Sequence, residues 1–456
     1  MKKTLFIAAL MSMFIGSATA QEKVSFKFYG FVRNYACFDT RESYTSNSEQ
    51  FYYMPKNVND PNKDGTDLNA QPNMMLLSIT TRLGLNITGP EFLGAKTSAK
   101  IESDFAGFST SNTVLRIRQA YAKMDWEHNK VLVGQAWHPM MGDMMPDVFS
   151  LETGAPFTPF SRTPQVRYDY TNKGITLTAT ALYQFQYTSY GPKDAAKRDY
   201  SSTGSFDYAR NAVVPEIYLQ AMYKNGGFQA GAGVDLLTLK PRQSYSWTIT
   251  EKFPIYTNGT QVTDENGLPV FGSKEVTKSY KCGSKDMFLS ITPTVFASYK
   301  GKNWGIKGRA TYAQNAAHLS MISGYAVTDI NQENGEWEYT PLESVSGWID
   351  ATYKVPLKKG NLQFCCFAGY TKNLGCESNF VHNEKKEYII YMRGEKNMDY
   401  MWRVAPSILY THNAMQIGVE YNPTTVGYGT HDGDYKMYNP KPVTNHRICA
   451  MLKYNF

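Results

Sequence analysis

Apolar and polar residues alternate along extended stretches of the chain. The last stretch, RICAMLKYNF, carries Ile448, Leu452 and Tyr454 on one face, with mostly polar side chains between them. Nearer the start, LLSITTRLGLNI places Leu77 and Leu83 on one face in the same way. Successive side chains of a β-strand point to opposite faces, so this period of two is typical of strands with one apolar and one polar face.

About sixteen segments follow this pattern, an even number, as in bacterial membrane barrels. One of them shifts its apolar face between Ile117 and Ala122, which predicts a β-bulge near Gln119. The predicted strands cover residues 24–39, 74–88, 94–106, 112–126, 129–136, 164–172, 174–187, 213–224, 227–239, 285–300, 303–316, 343–355, 360–374, 397–410, 413–422 and 442–456.

Short and long links between these strands alternate strictly. The short links are residues 89–94, 127–129, 171–174, 225–227, 301–303, 356–360 and 411–413. The long links are residues 40–73, 107–111, 137–163, 188–212, 240–284, 317–342, 375–396 and 423–441. Short turns on one side and long loops on the other are typical of outer-membrane proteins. The predicted fold class is therefore all-β: a transmembrane antiparallel β-barrel with short periplasmic turns, long extracellular loops and both termini on the periplasmic side.

The chain ends on an aromatic residue of the last predicted strand. Closure of a barrel requires this strand to pair with the first, because an open edge leaves backbone groups without hydrogen bonds. Tyr454 and Phe456 fall on the outward face and are predicted to join the periplasmic aromatic girdle. A terminal Tyr-x-Phe also resembles the assembly signal of outer-membrane barrels.

The N-terminus has the pattern of a secretory signal peptide. Two lysines precede an apolar run, and the small residues Ala18, Thr19 and Ala20 precede Gln21. No later stretch approaches the roughly 18 apolar residues of a membrane helix. We expect residues 1–20 to be removed and residues 21–456 to form a single barrel domain in the outer membrane of a Gram-negative bacterium.

The composition agrees with a barrel that has a polar interior. Aromatic residues make up 14% of the chain, including 33 tyrosines, yet the mean hydropathy is −0.43. The six cysteines include two in predicted loops, Cys282 and Cys376, which either bridge or remain unpaired thiols. No C-x-x-C pair and no zinc-type spacing of cysteine and histidine occurs.

The inward faces of the predicted strands carry more basic than acidic residues. Arginine suits an anion-selective wall because it stays charged and offers a planar fork to carboxylate or phosphate. In the alternative interpretation, these side chains pair with inward carboxylates and stiffen the barrel. The predicted pore-lining residues are Arg33, Arg82, Lys100, Arg116, Arg118, Arg167 and Arg309.

The link 137–163 is too apolar for an exposed loop, since it is rich in methionine, phenylalanine and proline. We expect it to fold into the lumen, with Asp143, Asp147 and Glu152 facing the basic wall across a constriction. His138 beside the methionines fits a soft-metal site, but such a stretch is more often simple packing.

Residues 57–71 contain the beginning of a calcium loop. Asp60, Asn62, Asp64 and Asp67 have the required types and spacing, but Gln71 replaces the closing glutamate. The same residue types also form ordinary turns. Apart from calcium at this loop, the sequence predicts no cofactor.

Catalysis has little support, because neither G-x-S-x-G nor H-E-x-x-H occurs and the histidines are scattered. We therefore expect a protein that is not an enzyme. The expected partners are outer-membrane lipid and small anionic or polar solutes, with no nucleic acid.

Three stretches carry a family resemblance: FYGFVRNYACFDTR, LRIRQAYAKMDW followed by KVLVGQAWHPM, and the terminal LKYNF. They resemble the trimeric dicarboxylate-channel (DcaP-like) porins of Gram-negative outer membranes. The resemblance implies a 16-stranded homotrimer that passes small, often anionic solutes, with Arg116 and Arg118 lining the pore. Members of that family often carry an N-terminal helical segment before the barrel, which this sequence lacks.

The predicted function is passive diffusion of small hydrophilic solutes, with a preference for anions such as carboxylates. Three alternatives stay open. A structural or adhesive barrel would bind ligands through loops 40–73 and 240–284, a sugar channel would carry tyrosines along its lumen, and an outer-membrane hydrolase would show lipase or protease activity.

Overall fold

The structure is a computed structural model. It describes residues 24–46, 51–108, 113–142, 144–150, 153–193, 201–283, 286–331, 333–382 and 387–456. The predicted signal peptide, residues 1–20, lies outside the described residues. No helix among the described residues is long and apolar enough to cross a membrane.

Sixteen antiparallel strands form a closed barrel, as the sequence predicts. Each strand pairs with its neighbours in chain order, and the last pairs with the first. The strands are β1 (Ser25–Asp39), β2 (Asn73–Leu77 and Arg82–Thr88), β3 (Lys96–Phe108), β4 (Thr113–Asp125), β5 (Asn129–Trp137), β6 (Arg162–Asn172), β7 (Ile175–Leu182), β8 (Glu216–Asn225), β9 (Phe228–Leu239), β10 (Phe288–Lys300), β11 (Trp304–Gln314), β12 (Glu343–Pro356), β13 (Asn361–Gly375), β14 (Met398–His412), β15 (Met415–His431) and β16 (Met437–Asn455).

The C-terminal residue takes part in closing the barrel. Strands β1 and β16 pair from Phe31 opposite Asn455 to Asp39 opposite Arg447. Beyond them, the backbone N–H and C=O of Phe456 both bond to Gly30 at 3.0 Å. Tyr454 and Phe456 face outward, 49% and 57% exposed, as predicted. Their role as an assembly signal remains a prediction.

A disulfide bond joins the two strands of this seam. Cys37 of β1 lies opposite Cys449 of β16, and their sulfur atoms are bonded. The sequence did not predict this pair, because it requires the register between the two ends of the chain. Cys282 and Cys376 are free thiols, so the bridge considered between them does not form. Burial raises the pKa of Cys282 to about 12 and of Cys376 to about 11, which makes both poor nucleophiles.

Two irregular strands shift their faces by one residue. In β4, Gln119 pairs with Glu102 and Ile117 with Ser103, so Arg118 is the extra residue of a bulge, which confirms the prediction near Gln119. In β2, the strand is interrupted between Leu77 and Arg82.

Because of that interruption, Leu77 does not share the outward face of Leu83, and the prediction that it does is wrong. Leu77 lies opposite the inward Tyr35 and Arg82 opposite Phe31, so β2 uses one residue more than β1 over this span. Met74 and Leu76, both 73% exposed, therefore face outward in place of Leu77. The extra residue reverses the alternation between the two halves of the strand.

The long links carry their own structure beyond the barrel. The prediction of a loop over 423–441 is wrong, because β15 and β16 continue to pair as far as His431 and Met437. Other links contain further elements: strands Ser43–Ser46, Phe51–Pro55, Tyr190–Pro192, Ser202–Gly204, Ser244–Pro254, Tyr256–Thr257, Thr260–Gln261, Phe271–Lys281, Gly324–Ile330, Trp337–Pro341 and Ile390–Met392, helix α1 (Asp207–Ala212) and a 3-10 helix (Ala317–Leu319).

The largest apolar core lies inside the barrel rather than on its outer face. Side chains of the links, such as Met54, Phe157 and Ile390, pack there against inward residues of the wall, such as Phe367 and Met401. The outer face instead exposes apolar residues along every barrel strand, as a lipid-facing surface requires.

We expect removal of the seam disulfide to destabilise the barrel. The bond joins residues separated by 412 positions, so it restricts the unfolded chain strongly. The double variant Cys37→Ala/Cys449→Ala should lose on the order of 4 kcal/mol of unfolding free energy. The measurement is urea unfolding in detergent without reductant.

A matched control is Cys366→Ala, which alters a free, exposed cysteine of β13 and should leave the midpoint unchanged. Reduced wild-type protein should unfold like the double variant. Equal midpoints for oxidised wild type and the double variant would contradict a stabilising bond.

Candidate channel interior

The segment between β5 and β6, residues 138–161, is called the inner loop here. It contacts inward side chains on the far side of the barrel. The hydroxyl of Tyr35 on β1 donates to the carbonyl of Phe149 at 2.6 Å. The N–H of Phe149 donates to Glu420 on β15 at 2.8 Å. These contacts place the loop across the barrel interior, as the sequence predicts.

Further along the inner loop, two wall residues bond to its backbone. Arg403 of β14 donates to the carbonyl of Ala155 at 3.1 Å, and its other terminal nitrogen donates to the carbonyl of Tyr53 at 2.9 Å. The hydroxyl of Ser346 on β12 donates to the carbonyl of Phe157 at 2.8 Å. Arg403 thus ties the inner loop and the segment Phe51–Pro55 to one strand.

The apolar side chains of the inner loop are buried. Met140, Met141, Phe157 and Phe160 are each no more than 1% exposed. Their burial confirms that the methionine-rich stretch is packing, because methionine fills irregular gaps between other side chains.

Of the predicted constriction residues, Asp147 is described, whereas Asp143 and Glu152 lie outside the described residues. The carboxylate of Asp147 pairs with Lys307 of β11 at 2.8 Å and remains 47% exposed. Its backbone N–H donates to Asp350 of β12. Asp147 borders a cavity of about 300 Å³ that Arg33 and Lys453 also line.

A cluster of basic side chains lies on the wall formed by β1, β2 and β16. Three of them approach the ring of Phe31: Arg33 at 5.4 Å, Arg82 at 5.0 Å and Lys453 at 4.4 Å. Arg33 and Lys453 are direct partners across the closing seam. The electron-rich face of the ring offsets part of their mutual repulsion.

The neighbouring strands β3 and β4 pair their charges. Arg116 binds Asp104 through two hydrogen bonds, at 2.9 and 3.0 Å. Arg118 bridges Asp104 at 2.6 Å and Glu102 at 3.0 Å. Arg82 and Lys100 also approach Glu102, at 3.6 and 3.8 Å. For these residues, pairing within the wall is the observed arrangement.

The predicted pore-lining residues therefore differ in their access to the lumen. Arg118 and Arg309 are only 2% and 5% exposed, and Arg309 bonds to Thr294 at 3.1 Å. Arg167 pairs with Asp169 at 2.8 Å. Arg33 is more accessible, and so is Lys453, which alternates with the outward Tyr454.

The predicted calcium loop uses its carboxylates for local hydrogen bonds. Asp60 accepts from the N–H groups of Asp64 and Gly65, at 3.2 and 2.8 Å. Asp67 pairs with Arg41 at 2.8 Å. Hydrogen bonds from Thr66 hold the pKa of Asp64 below its usual value. Among the described residues, this loop does not gather three acidic groups around one point, so calcium binding at Asp60, Asn62, Asp64 and Asp67 remains a prediction.

The fold resembles solved outer-membrane proteins. It matches the outer membrane channel DcaP of Acinetobacter baumannii with a TM-score of 0.57 and 18% identity, covering 97% of this chain and 100% of that chain. It matches OmpT of Vibrio cholerae, expressed in the outer membrane, with a TM-score of 0.50 and 12% identity, covering 96% and 100%. No protein-family model and no curated protein match the sequence. The likeness establishes the barrel fold and leaves membership in the DcaP-like family unconfirmed.

We expect Arg403 to hold the inner loop in place. Replacing it by methionine removes hydrogen bonds from a buried charged group to two backbone carbonyls, at a cost on the order of 3 kcal/mol. Hydrogen exchange measured by mass spectrometry should become faster in residues 153–161. Urea unfolding should begin at lower concentration.

The control is Arg210→Met in helix α1, where the arginine is 64% exposed and pairs only with Asp207 across one helical turn. Its effect on stability should stay below about 0.5 kcal/mol. Unchanged exchange in the inner loop of the Arg403→Met variant would show that other contacts fix the loop.

Proposed function

We propose that the protein is an outer-membrane porin of a Gram-negative bacterium, exported by the signal peptide at residues 1–20 and assembled as a homotrimer. It allows passive diffusion of small hydrophilic solutes and favours anions such as carboxylates. The observation that carries this proposal is the position of Arg33 and Lys453, two partly accessible basic groups that border the cavity beside the inner loop. The outer membrane channel DcaP, a protein of the same fold, agrees with a channel function.

The charge balance of the basic wall supports the anion preference. Arg82, Lys100, Arg116 and Arg118 pair with the two carboxylates of Glu102 and Asp104. Two further basic side chains of the same wall, Arg33 and Lys453, approach the ring of Phe31 instead. Six positive charges less two negative charges leave a formal excess of four. A like-signed lining in a narrow passage raises the local concentration of oppositely charged solutes.

The same cavity also has an acidic lining residue. Asp147 belongs to the inner loop, pairs with Lys307 and remains 47% exposed. Positive and negative groups that line one passage act on charged and dipolar solutes in it. Carboxylates suit the basic groups, because an arginine offers two parallel N–H groups.

A second candidate function is ligand binding at the cell surface. The hairpin of Ser244–Pro254 and Phe271–Lys281 exposes Phe253 and Phe271, which are 48% and 52% exposed. Exposed apolar patches on a projecting element are typical of interaction sites. An adhesive barrel needs no open pore, so conductance separates the two functions.

The decisive measurement is single-channel conductance in a planar bilayer, with the reversal potential under a salt gradient. We expect steps that occur in groups of three and a reversal potential that favours anions. The variant Arg33→Gln/Lys453→Gln should lower the anion-to-cation permeability ratio by at least roughly twofold, because it removes two accessible charges from the lining.

The control is Lys274→Gln/Lys278→Gln, which removes the same charge from the exposed hairpin and should leave selectivity unchanged. A folded barrel that conducts no ions would contradict the porin and favour the adhesive barrel. If the Arg33→Gln/Lys453→Gln variant conducts ions with unchanged selectivity, the channel function would stand, but the basic wall would not determine the ion selectivity.

A further inference from the structure

Four ionisable side chains meet in a closed space beside the base of the inner loop. His138 directly follows β5, Glu216 begins β8, Asp235 lies within β9, and His318 belongs to the 3-10 helix Ala317–Leu319. Their exposed fractions are 0%, 2%, 1% and 1%. The sequence shows them as isolated residues, and the channel function does not use them.

Three of these residues have polar atoms spaced like metal ligands. His138 Nε2 lies 2.8 Å from Glu216 Oε1 and 3.6 Å from Asp235 Oδ1. Ligand atoms about 2.1 Å from a tetrahedral ion are separated from one another by about 3.4 Å, and these two separations lie near that value. His318 Nε2 lies beside the group, 3.2 Å from Glu216 Oε1 and 3.6 Å from the other oxygen of Asp235.

The cluster is also short of positive charge. Among the described residues, no lysine or arginine forms an ion pair with Glu216 or Asp235, and the two carboxylates face only imidazoles. The N–H of Met140 donates to His138 Nδ1 at 3.1 Å, so His138 is a neutral imidazole in this arrangement. Two buried carboxylates without a fixed cation are costly.

Several buried atoms of the cluster lack hydrogen-bond partners. They are Glu216 Oε2, Asp235 Oδ1 and His318 Nδ1. Asp235 Oδ1 points towards His138 Nε2 but lies too far away for a hydrogen bond. Polar atoms this deeply buried are normally satisfied, so unpartnered ones in a cluster of this kind indicate a missing group.

We propose that His138, Glu216 and Asp235 form a structural site for one divalent transition-metal ion of the zinc class. One imidazole nitrogen and two carboxylate oxygens are ligand types that zinc binds, and the fourth position is left for water or for His318, which lies 3.2 Å from Glu216. The ligand atoms of His138, Glu216 and Asp235 all lie within 4.8 Å of one another. A dication balances the two carboxylates and displaces the proton from the ring nitrogen that binds it.

The site joins the inner loop to the wall from two directions. His138 is the first residue of the inner loop, and the segment around His318 bonds to the other end of that loop. Phe160 donates through its N–H to the carbonyl of Leu319 at 2.7 Å, and Ser320 donates to the carbonyl of Phe160 at 3.0 Å. A metal ion here fixes both ends of the inner loop against β8 and β9.

The experiment uses the full mature chain, refolded in detergent with Zn²⁺ and passed over a chelating resin. Mass spectrometry should find about one Zn²⁺ per folded chain. The variant Glu216→Gln/Asp235→Asn keeps the side-chain volumes and removes both charges, and it should lower the affinity at least roughly tenfold. His138→Gln removes the imidazole of the three-residue group and should weaken binding more than His318→Gln, which alters a residue beside that group.

The control variant is His382→Gln/His431→Gln. The rings of these two histidines lie 4.1 and 5.3 Å from that of Tyr388, with His382 in a link and His431 at the end of β15. It should retain the ion. If the charge-removing variant fails to fold, the absorption spectrum of wild-type protein refolded with Co²⁺ decides: a tetrahedral spectrum supports the site. The proposal would be overturned if folded wild-type protein contained no metal, or if only the control variant lost it. Protons would then balance the charges of the buried carboxylates.

Discussion

Every backbone group in the wall of a membrane barrel has to find its hydrogen-bond partner within the wall, and the pairing of β1 with β16 meets that requirement for the two strands that would otherwise be edges. The ladder runs to the last residue of the chain, because Phe456 still exchanges two hydrogen bonds with Gly30. Once the sheet is closed, the alternation of each strand becomes a division between outside and inside. The apolar exterior and the charged interior both follow from this one condition.

The interior is stabilised by side-chain packing and specific polar contacts, whereas the wall is stabilised by backbone hydrogen bonds between strands. Its upper part is filled by the links, which bury methionine and aromatic side chains against inward residues of β12, β13 and β14. One charged group that enters this core, Arg403, is held by two backbone carbonyls. The charges of β3 and β4 are largely paired, whereas Arg33 of β1 and Lys453 of β16 border the cavity beside the inner loop. The inner surface thus separates groups that hold the structure together from groups accessible to a solute.

Alternation alone was enough to predict the number of strands, the direction of most side chains and the sorting of the links, since all three depend on a period that the sequence displays directly. Prediction from alternation failed where a strand extends beyond the apolar outer surface of the barrel. Residues 423–441 carry polar side chains on both faces, so nothing in their pattern separates a projecting hairpin from a loop. It failed again at Leu77, because the extra residue of β2 lies among small polar side chains that show no break in the period.

The interior was harder to predict for a related reason. The alternation along a strand identifies which side chains point inward. It does not identify which of them contact one another, because those contacts depend on the register between strands. Arg118 and Arg33 are both predicted to point inward, yet only Arg118 pairs with two carboxylates on the neighbouring strand. The buried group around Glu216 needed three-dimensional proximity among residues from four separate segments. The register between the first and last strands also decided the pairing of Cys37 with Cys449.

That last pairing changes the connectivity of the molecule. With a covalent bond between strands at opposite ends of the sequence, the chain from Cys37 to Cys449 is a closed loop with short tails, and every long link belongs to the loop. A single cut in any such link opens the loop without dividing the molecule into two pieces. The barrel is therefore protected against separation by one proteolytic event in a long link, a tolerance that hydrogen bonds between strands do not provide by themselves.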